Sequence, residues 1–211
     1  YSTGIVRHEV PEDKLDYRMF ETPLQTWEPG NYINIHVMRK ADANRPYVAG
    51  WSGLGSGNIM VQGNYLGDSP WNNIVLIHEM GHNLSIHHTF NRGCKNDDCL
   101  LDGDRVCDTP PDNNTEYPRP CDVAERTNSC PTDPDDPSVN NPFRSIALGG
   151  LGDQNDMISN FLDYSAWECE HSFTQGQKDR MHATLETFRA GLLTSIGCLP
   201  PCDTPILLNV S

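Results

Sequence analysis

Two histidines and a glutamate in this sequence stand at a spacing that suits a metal site. His78, Glu79 and His82 form the pattern H-E-x-x-H. Residues four positions apart share one face of a helix, so both imidazoles would point at one metal ion, with the carboxylate of Glu79 beside it. The pattern is typical of a zinc ion that activates water, and such a site needs a third protein ligand.

A third histidine, His88, follows His82 by six residues. A straight helix cannot bring that position back to the same metal, so the chain has to turn sharply after Leu84. Ser85 would take a left-handed conformation in this turn, at a cost of about 1 kcal/mol relative to glycine. His87 is the alternative third ligand, but its side chain would point away by one residue, so the spacing favours His88.

The motif lies on a predicted helix over residues 71–84. Residues 68–70 read Asp-Ser-Pro, which offers an N-cap followed by proline in the first turn. Alternating apolar and polar residues predict a half-buried strand over 32–38. A second short strand is predicted over 58–62, after the glycine-rich stretch 50–57. The side of the helix that we expect to be buried carries five apolar residues: Ile74, Leu76, Ile77, Met80 and Leu84.

The sequence downstream of the motif is poor in regular patterns. Between residues 89 and 158, Asp, Asn, Pro, Gly and Cys dominate. Disulfides or bound ions would stabilise such a segment in place of a core. A second helix is predicted from Thr174, which forms a capping box with Gln177, to about Leu193.

The charge of the chain restricts its partners. Of its 211 residues, 29 are acidic and 15 are basic, which gives a net charge of -14. This balance argues against binding to nucleic acid, because a phosphate-binding protein needs a basic surface. No apolar run is long enough to span a membrane, so we expect no membrane insertion. Six aspartates lie close together in the sequence: Asp97, Asp98, Asp102, Asp104, Asp108 and Asp112. They form either a solvated loop or a set of oxygen ligands for calcium.

The cysteines predict an oxidising compartment. There are eight of them, they fall between residues 94 and 202, and they lack the spacing of a zinc ribbon. Disulfide bonds explain an even number of cysteines without such spacing, and disulfides are typical of secreted proteins. The sequence therefore predicts an extracellular location.

Four motifs, in order along the chain, resemble the pappalysin family of metzincin zinc metalloproteases. They are the long histidine motif with the Thr89-Phe90 that follows it, and the segments 103–110, 160–165 and 173–181. The resemblance covers roughly residues 30 to 190. The chain departs from the family pattern at Ser85, where the family has glycine, and at Leu162, where it has the methionine of its Met-turn.

The resemblance implies an α/β fold in two lobes, as in a metzincin-type zinc protease domain. An upper lobe, about residues 1–88, would hold a small twisted sheet and the active-site helix. A loop-rich lower lobe, about residues 89–197, would be stapled by disulfides and closed by the C-terminal helix. Together they would form one catalytic domain over 1–197, with 198–211 as a linker or the start of a following module. The family's N-terminal helix is not visible before Tyr1, so we expect residue 1 to begin inside the fold, with earlier sequence and a prosegment upstream of it.

The resemblance also implies a secreted zinc-dependent endopeptidase, which we expect to act on protein or peptide substrates as a monomer. His78, His82 and His88 would hold zinc, while Glu79 would take a proton from water and pass it to the leaving amine. Tyr164 would donate a hydrogen bond to the developing oxyanion, or ligate zinc when no substrate is bound. A core tyrosine is the alternative for this residue.

Two other classes of protein compete with the endopeptidase. One is an extracellular module that binds zinc and calcium without proteolytic activity. The other is an adhesive domain stabilised by calcium, which leaves the histidine spacing unexplained.

A calcium site follows from the same resemblance. Segment 103–110 is similar to a calcium-binding segment of the family, which implies Asp104 and Thr109 as ligands. Asp108 or Asp102 would be further ligands.

Four disulfides are expected. The resemblance pairs Cys94 with Cys130 and Cys121 with Cys169. Proximity along the chain then pairs the remaining cysteines as Cys99–Cys107 and Cys198–Cys202.

Substrate recognition is expected at two places. In this family the residue before the second cysteine of the Cys121–Cys169 pair lies near the floor of the S1′ pocket, and here it is Glu168. A carboxylate there would favour arginine at P1′, with lysine second, whereas a solvated loop residue is the alternative. The substrate would lie extended along an edge strand above the cleft, for which 58–62 is the candidate.

Overall fold

A small mixed sheet forms one part of this protein. The computed structural model describes residues 27–40, 44–67, 72–113, 120–124, 126–131 and 137–195, together with Arg7. In these residues three strands pair in the order β1-β3-β2. β1 and β3 run parallel, and β2 runs antiparallel to β3 on its other side. The strands are β1 Asn34–Met38, β2 Gly50–Ser52 and β3 Asn58–Gln62.

The central strand is β3, so the expectation that substrate lies along an edge at 58–62 is wrong. Both sides of its backbone pair with a neighbouring strand, and the side chains of Ile59 and Val61 are fully buried. The strand at the edge beside the site helix is β2. The sequence does not reveal β2, because three residues among glycines carry too little alternation to be told from a loop.

Helix α1, Ile74–Asn83, carries the histidine motif and packs against β2 and β3. It is shorter at both ends than the predicted 71–84, and the proposed cap at 68–70 lies outside the described residues. Asn73 precedes the helix at a φ of 77°. Its side chain donates to the carbonyl of Gly67 at 3.0 Å, which fixes the entry into the helix.

The buried face of α1 is not the one expected from its apolar residues. The motif side chains His78, Glu79 and His82 are buried, whereas Ile77 and Met80 are only half-buried. The reason is that the helix lies between the sheet and the segment around Leu162, and it turns its motif face into that interior. These polar side chains can be buried because backbone groups of Phe161, Ile86 and Ser52 form hydrogen bonds with them.

The predicted C-terminal helix is present but broken. Helix α3 spans Gln175–Thr187 and begins with the expected capping box of Thr174 and Gln177. The chain leaves the helix at Arg189 and resumes as a short helix α4, Ala190–Leu193. Arg189 is buried and donates to the carbonyl of Pro29 at 2.8 Å and to Asn83 Oδ1 at 3.1 Å. The backbone bends at Arg189, where this guanidinium finds its acceptors among residues far away in sequence.

Three disulfides link the loop-rich segment between α1 and α3. They are Cys94–Cys130, Cys99–Cys107 and Cys121–Cys169, three of the four expected pairs. The fourth, Cys198–Cys202, lies outside the described residues. Among the described residues of this segment, the helices are a one-turn helix α2, Cys121–Ala124, and a 3-10 turn at 146–148.

The fold class is the expected one: a small α/β sheet, a site helix, a loop-rich segment with disulfides and a C-terminal helix. The division into lobes at about residue 88 and a module beyond 197 stay predictions. None of the helices in the described part of the chain combines the length and apolarity that crossing a bilayer requires.

Candidate metal centre

Three imidazoles converge at one point of the structure. The Nε2 atom of His88 lies 3.1 Å from that of His78 and 3.0 Å from that of His82. Zinc bound by imidazoles at about 2.0–2.1 Å in a tetrahedron holds its ligand atoms about 3.3 Å apart, so these nitrogens fit such an ion. Among the described residues, no other group of three or more His, Cys, Asp or Glu side chains brings its ligand atoms close enough together to hold a metal ion.

The hydrogen bonds behind two of the rings orient them for a metal. His78 Nδ1 lies 2.6 Å from the carbonyl oxygen of Phe161, and His82 Nδ1 lies 2.7 Å from that of Ile86. A carbonyl only accepts, so each Nδ1 carries the proton and each Nε2 presents a lone pair. Burial lowers the pKa of both rings, that of His78 to about 3, which keeps them neutral. Converging lone pairs repel one another, and a cation between them removes that repulsion.

A left-handed turn brings the third histidine into place. Ser85 has a φ of 71°, as its position in the motif predicts. Ile86 N–H donates to the carbonyl of Gly81 at 3.0 Å, and Arg180 Nε donates to that of Ser85 at 2.8 Å. The structure therefore places His88, and not His87, with the histidine pair.

The carboxylate of Glu79 lies against the edge strand β2. Its side chain is buried, which raises its pKa to about 8, while the backbone N–H of Ser52 donates to it and lowers that value. Gly50 permits this approach, since a Cβ there would lie 2.9 Å from both Cγ and Oε1 of Glu79. Sequence analysis missed Gly50 and Ser52, because their role depends on a strand that the sequence does not reveal.

Aromatic side chains surround His88 at the mouth of the cleft. The ring of Tyr164 lies 4.8 Å from that of His88 and 5.6 Å from that of His78, measured between centroids. The phenol is partly exposed and lines the same cleft as Glu79. Phe90 stacks on His88 at 4.6 Å with an interplanar angle of 13°. The sequence contained Phe90 in a family motif but indicated no role for it.

Leu162 lies directly beneath the site helix. It is fully buried, and a Cβ at Gly81 would lie 2.7 Å from its Cδ2 atom. The neighbouring Phe161 supplies the carbonyl that orients His78. Leucine therefore fills the position beneath the histidines where the family resemblance implies a methionine.

The four residues proposed for calcium have different surroundings. Asp102 forms ion pairs with Arg92 at 3.0 Å and Lys95 at 3.5 Å. Asp108 accepts from the hydroxyl of Thr174 at 2.8 Å and from Gly176 N–H at 2.7 Å, at the start of α3.

Asp104 and Thr109 are both buried and lie beside each other. Gln177 Nε2 donates to Asp104 at 2.6 Å, and burial raises the pKa of Asp104 to about 6. Asp102 thus has cationic partners, whereas Asp104, like Asp108, accepts from a backbone N–H, that of Val106 at 3.2 Å. The calcium site stays a prediction.

Glu168 has an exposed side chain beside the Cys121–Cys169 disulfide. It is not among the residues that line the cleft around the histidines. Its proposed place in an S1′ pocket stays a prediction.

Comparisons with known proteins agree with this geometry. Residues 20–186 match the family model of peptidase M43, described as pregnancy-associated plasma protein-A. An extracellular metalloprotease of Arthroderma otae is 34% identical over 114 residues, which is 54% of this chain and 32% of that protein. Extracellular metalloprotease 1 of Coccidioides posadasii is also 34% identical over 114 residues, 54% of this chain and 31% of that protein. The match thus covers less than one third of the length of each relative.

Two solved structures share the fold. Mature mirolysin of Tannerella forsythia, in complex with a cleaved peptide, has a TM-score of 0.54 at 21% identity, over 79% of this chain and 58% of that one. A promirolysin mutant of the same organism has a TM-score of 0.52 at 20% identity, over 79% of this chain and 51% of that one.

Proposed function

Since the chain belongs to the peptidase M43 family, we propose that it is a secreted zinc-dependent endopeptidase. The observation that carries this proposal is the convergence of the His78, His82 and His88 nitrogens beside the buried carboxylate of Glu79, in a cleft that also holds Tyr164. A zinc ion held by these three imidazoles would polarise the scissile carbonyl and lower the pKa of a water molecule in the site toward about 7.

Glu79 acts as the general base and then as the general acid. Its carboxylate takes a proton from the attacking water and gives it to the leaving amine. The N–H of Ser52 holds one carboxylate oxygen, so the proton acceptor keeps a fixed orientation through both steps. Tyr164 faces Glu79 across the cleft, and burial followed by the charge of Glu79 raises the pKa of its phenol. The phenol therefore keeps its proton and donates a hydrogen bond to the developing oxyanion.

The edge strand β2 supplies a surface for the peptide. In the described sheet β2 pairs with β3 on one side only, and Gly50, Trp51 and Ser52 line the cleft. An extended peptide adds to such an edge through backbone hydrogen bonds. A substrate in that position lies beside Glu79, which contacts the same strand.

The function is tested by cleavage of a peptide library with wild type and Glu79→Ala, together with measurement of bound zinc. We expect one zinc per chain in both proteins and loss of cleavage in Glu79→Ala alone, by about a thousandfold or more. Glu186→Ala, an exposed glutamate on α3, is the matched control and should cleave like wild type. A zinc-loaded wild type that cleaves no peptide would favour the module that binds zinc and calcium without proteolysis.

We further propose that Glu168 favours arginine, then lysine, at P1′. A carboxylate meets a guanidinium through paired hydrogen bonds and an ammonium as a point charge. Glu168→Ala should lower the preference for these residues without lowering cleavage of other sequences. An unchanged P1′ profile in this variant would assign Glu168 to the solvated surface.

We also propose a structural calcium ion at Asp104 and Thr109. A calcium-selective chelator should lower the melting temperature of wild type, and added calcium should restore it. Asp104→Asn should respond less, while zinc content is followed in parallel. Equal melting temperatures with and without the chelator would rule out this ion.

A further inference from the structure

The ring of His88 lacks the hydrogen bond that orients each of the other two histidines. The Nδ1 atoms of His78 and His82 lie 2.6 and 2.7 Å from backbone carbonyl oxygens. The Nε2 atom of His88 faces the other two rings, and no described residue forms a hydrogen bond with its Nδ1 atom. Histidines that hold a metal almost always donate the second N–H to a carbonyl, a carboxylate or water. The protein therefore orients the third ring through a different contact.

Phe90 supplies that contact. Its ring lies 4.6 Å from the ring of His88, measured between centroids, with an interplanar angle of 13°. Aromatic rings at this distance attract each other in an offset, stacked arrangement. Because stacked faces stay parallel, Phe90 restricts rotation of the imidazole about the bond that joins the ring to Cβ. That rotation decides whether Nε2 of His88 faces the other two histidines.

The turn after the histidine motif brings the two rings together. Thr89, which lies between them, is buried, and its N–H donates to the carbonyl of Leu162 at 3.2 Å. Asn91 N–H donates to the carbonyl of His88 at 3.2 Å and closes the turn. With Thr89 anchored in the interior, the side chains of His88 and Phe90 lie together on the outer side, where both are half-buried.

The stack also reaches the phenol of Tyr164. The ring of Tyr164 lies 4.8 Å from that of Phe90 and 4.8 Å from that of His88. The three rings thus contact one another in pairs, although Tyr164 comes from a distant segment of the chain. Tyr164 is exposed on one side, so its contacts with the other two rings restrict the movement of the phenol.

We propose that Phe90 is a positioning residue of the metal centre. Its ring fixes the imidazole of His88 in the orientation that binds the ion, in place of the hydrogen bond that the other two imidazoles make, and it holds Tyr164 beside that imidazole. The part that concerns Tyr164 rests on the proposed function, in which the phenol stabilises the oxyanion. The part that concerns His88 is a property of metal binding and needs no cleavage.

Zinc affinity, measured by competition with a chromophoric chelator, tests the role of Phe90 without a substrate. Phe90→Leu keeps an apolar side chain but removes the planar face, so zinc should bind about tenfold more weakly than to wild type. Phe90→Tyr keeps the face and should bind zinc like wild type. Phe90→Met, which also lacks a planar ring, takes the place of Phe90→Leu if that variant fails to fold.

Phe143→Leu is the matched control. It makes the same change at a buried position that lines a different cavity, so it should lower stability and keep the wild-type zinc affinity. The visible spectrum of the cobalt-loaded protein reports the geometry of the ligand atoms around the ion. This spectrum should change in Phe90→Leu and stay as in wild type in Phe143→Leu.

Steady-state kinetics test the contact with Tyr164. In zinc-loaded Phe90→Leu we expect kcat to fall by about tenfold with little change in KM, because the phenol acts on charge that develops in the transition state. An unchanged kcat would overturn the part of the proposal that concerns Tyr164.

The zinc measurements decide the part that concerns His88. Equal zinc affinities of wild type and Phe90→Leu would overturn it. An equal loss in Phe143→Leu would also do so, since the loss would then follow from lower stability alone. Weaker zinc binding by Phe90→Leu, together with a zinc-loaded wild type that cleaves no peptide, would overturn only the endopeptidase.

Discussion

At the scale of single residues, Ser85 shows how a motif tolerates a departure from its family pattern. Ser85 adopts the left-handed conformation that the family assigns to glycine, with a φ of 71°. Hydrogen bonds at Ser85 compensate for the strain. Arg180 donates to the carbonyl of Ser85, and the N–H of Ser85 donates to the carbonyl of His82 at 2.9 Å. The third histidine therefore reaches the site without the usual glycine.

Ser85→Gly should stabilise the protein. Glycine adopts a positive φ without the steric cost that a Cβ brings, so the free energy of unfolding should rise by about 1 kcal/mol. Urea unfolding of the two proteins measures the difference. Ser56→Gly is the control: Ser56 has no positive φ and its hydroxyl donates to the carbonyl of Asn58, so glycine should destabilise the protein there. A loss of stability in Ser85→Gly would show that its side chain contributes more than its backbone costs.

At the scale of elements, the contact between β2 and α1 decides where the carboxylate of Glu79, the proposed general base, points. Gly50 of β2 leaves room for the Glu79 side chain because it has no Cβ, and the backbone N–H of Ser52 donates to the Glu79 carboxylate. Gly50→Ala places a methyl group 2.7 Å from Val75 Cγ1 and 2.9 Å from Glu79 Cγ. One of the two elements has to move.

We expect Gly50→Ala to lower kcat by about a hundredfold while zinc content stays at the wild-type level, because a small displacement of a reacting group costs that much. Gly63→Ala serves as the control, since a Cβ there meets Val37 Cγ1 at an ordinary 3.4 Å. Steady-state kinetics and metal analysis of the three proteins check this. Wild-type kcat in Gly50→Ala would mean that β2 does not position Glu79.

The same elements show what a sequence can and cannot predict. The histidine spacing, the strands predicted at 32–38 and 58–62 and the capping box at Thr174 all follow from local patterns. The structure contains them, with the first strand two residues shorter, at Asn34–Met38. The break in the last helix does not, because it depends on acceptors for Arg189 that come from Pro29 and Asn83. Strand β2 cannot be predicted from the sequence for the same reason, because it forms by pairing with β3 and its own three residues carry no strand pattern.

At the scale of the whole molecule, buried acids make stability depend on pH. Burial, together with the charge of Asp112, raises the pKa of Asp163 to about 8, and burial with the charge of Asp163 raises that of Glu170 to about 9. Unfolded carboxyls titrate at about 4 and unfolded histidines at about 6.5, and the buried histidines, whose pKa is lowered, oppose the acids below the second value. From about pH 6.5 to pH 9 the acids alone differ, so the folded protein binds more protons than the unfolded chain. The free energy of unfolding should therefore fall as pH rises through this window.

Asp163→Asn should flatten this dependence, because an amide does not ionise. Urea unfolding at about pH 7, 8 and 9 gives the slopes for the two proteins. Asp122→Asn, at an exposed position on α2, should keep the wild-type slope. A wild-type stability that rises over this range would show that the buried acids are ionised in the folded protein.

The hydrogen bonds at the end of α1 also set an order of events during synthesis of the chain. Arg180 reaches back 95 residues to the turn at Ser85, and Arg189 reaches back 106 residues to Asn83. When the three histidines emerge from the ribosome, neither Arg180 nor Arg189 has yet been synthesised. The metal-binding turn thus gains its last supports only when α3 and the residue after it have emerged, and a nascent or truncated chain would lack a finished hydrolytic centre.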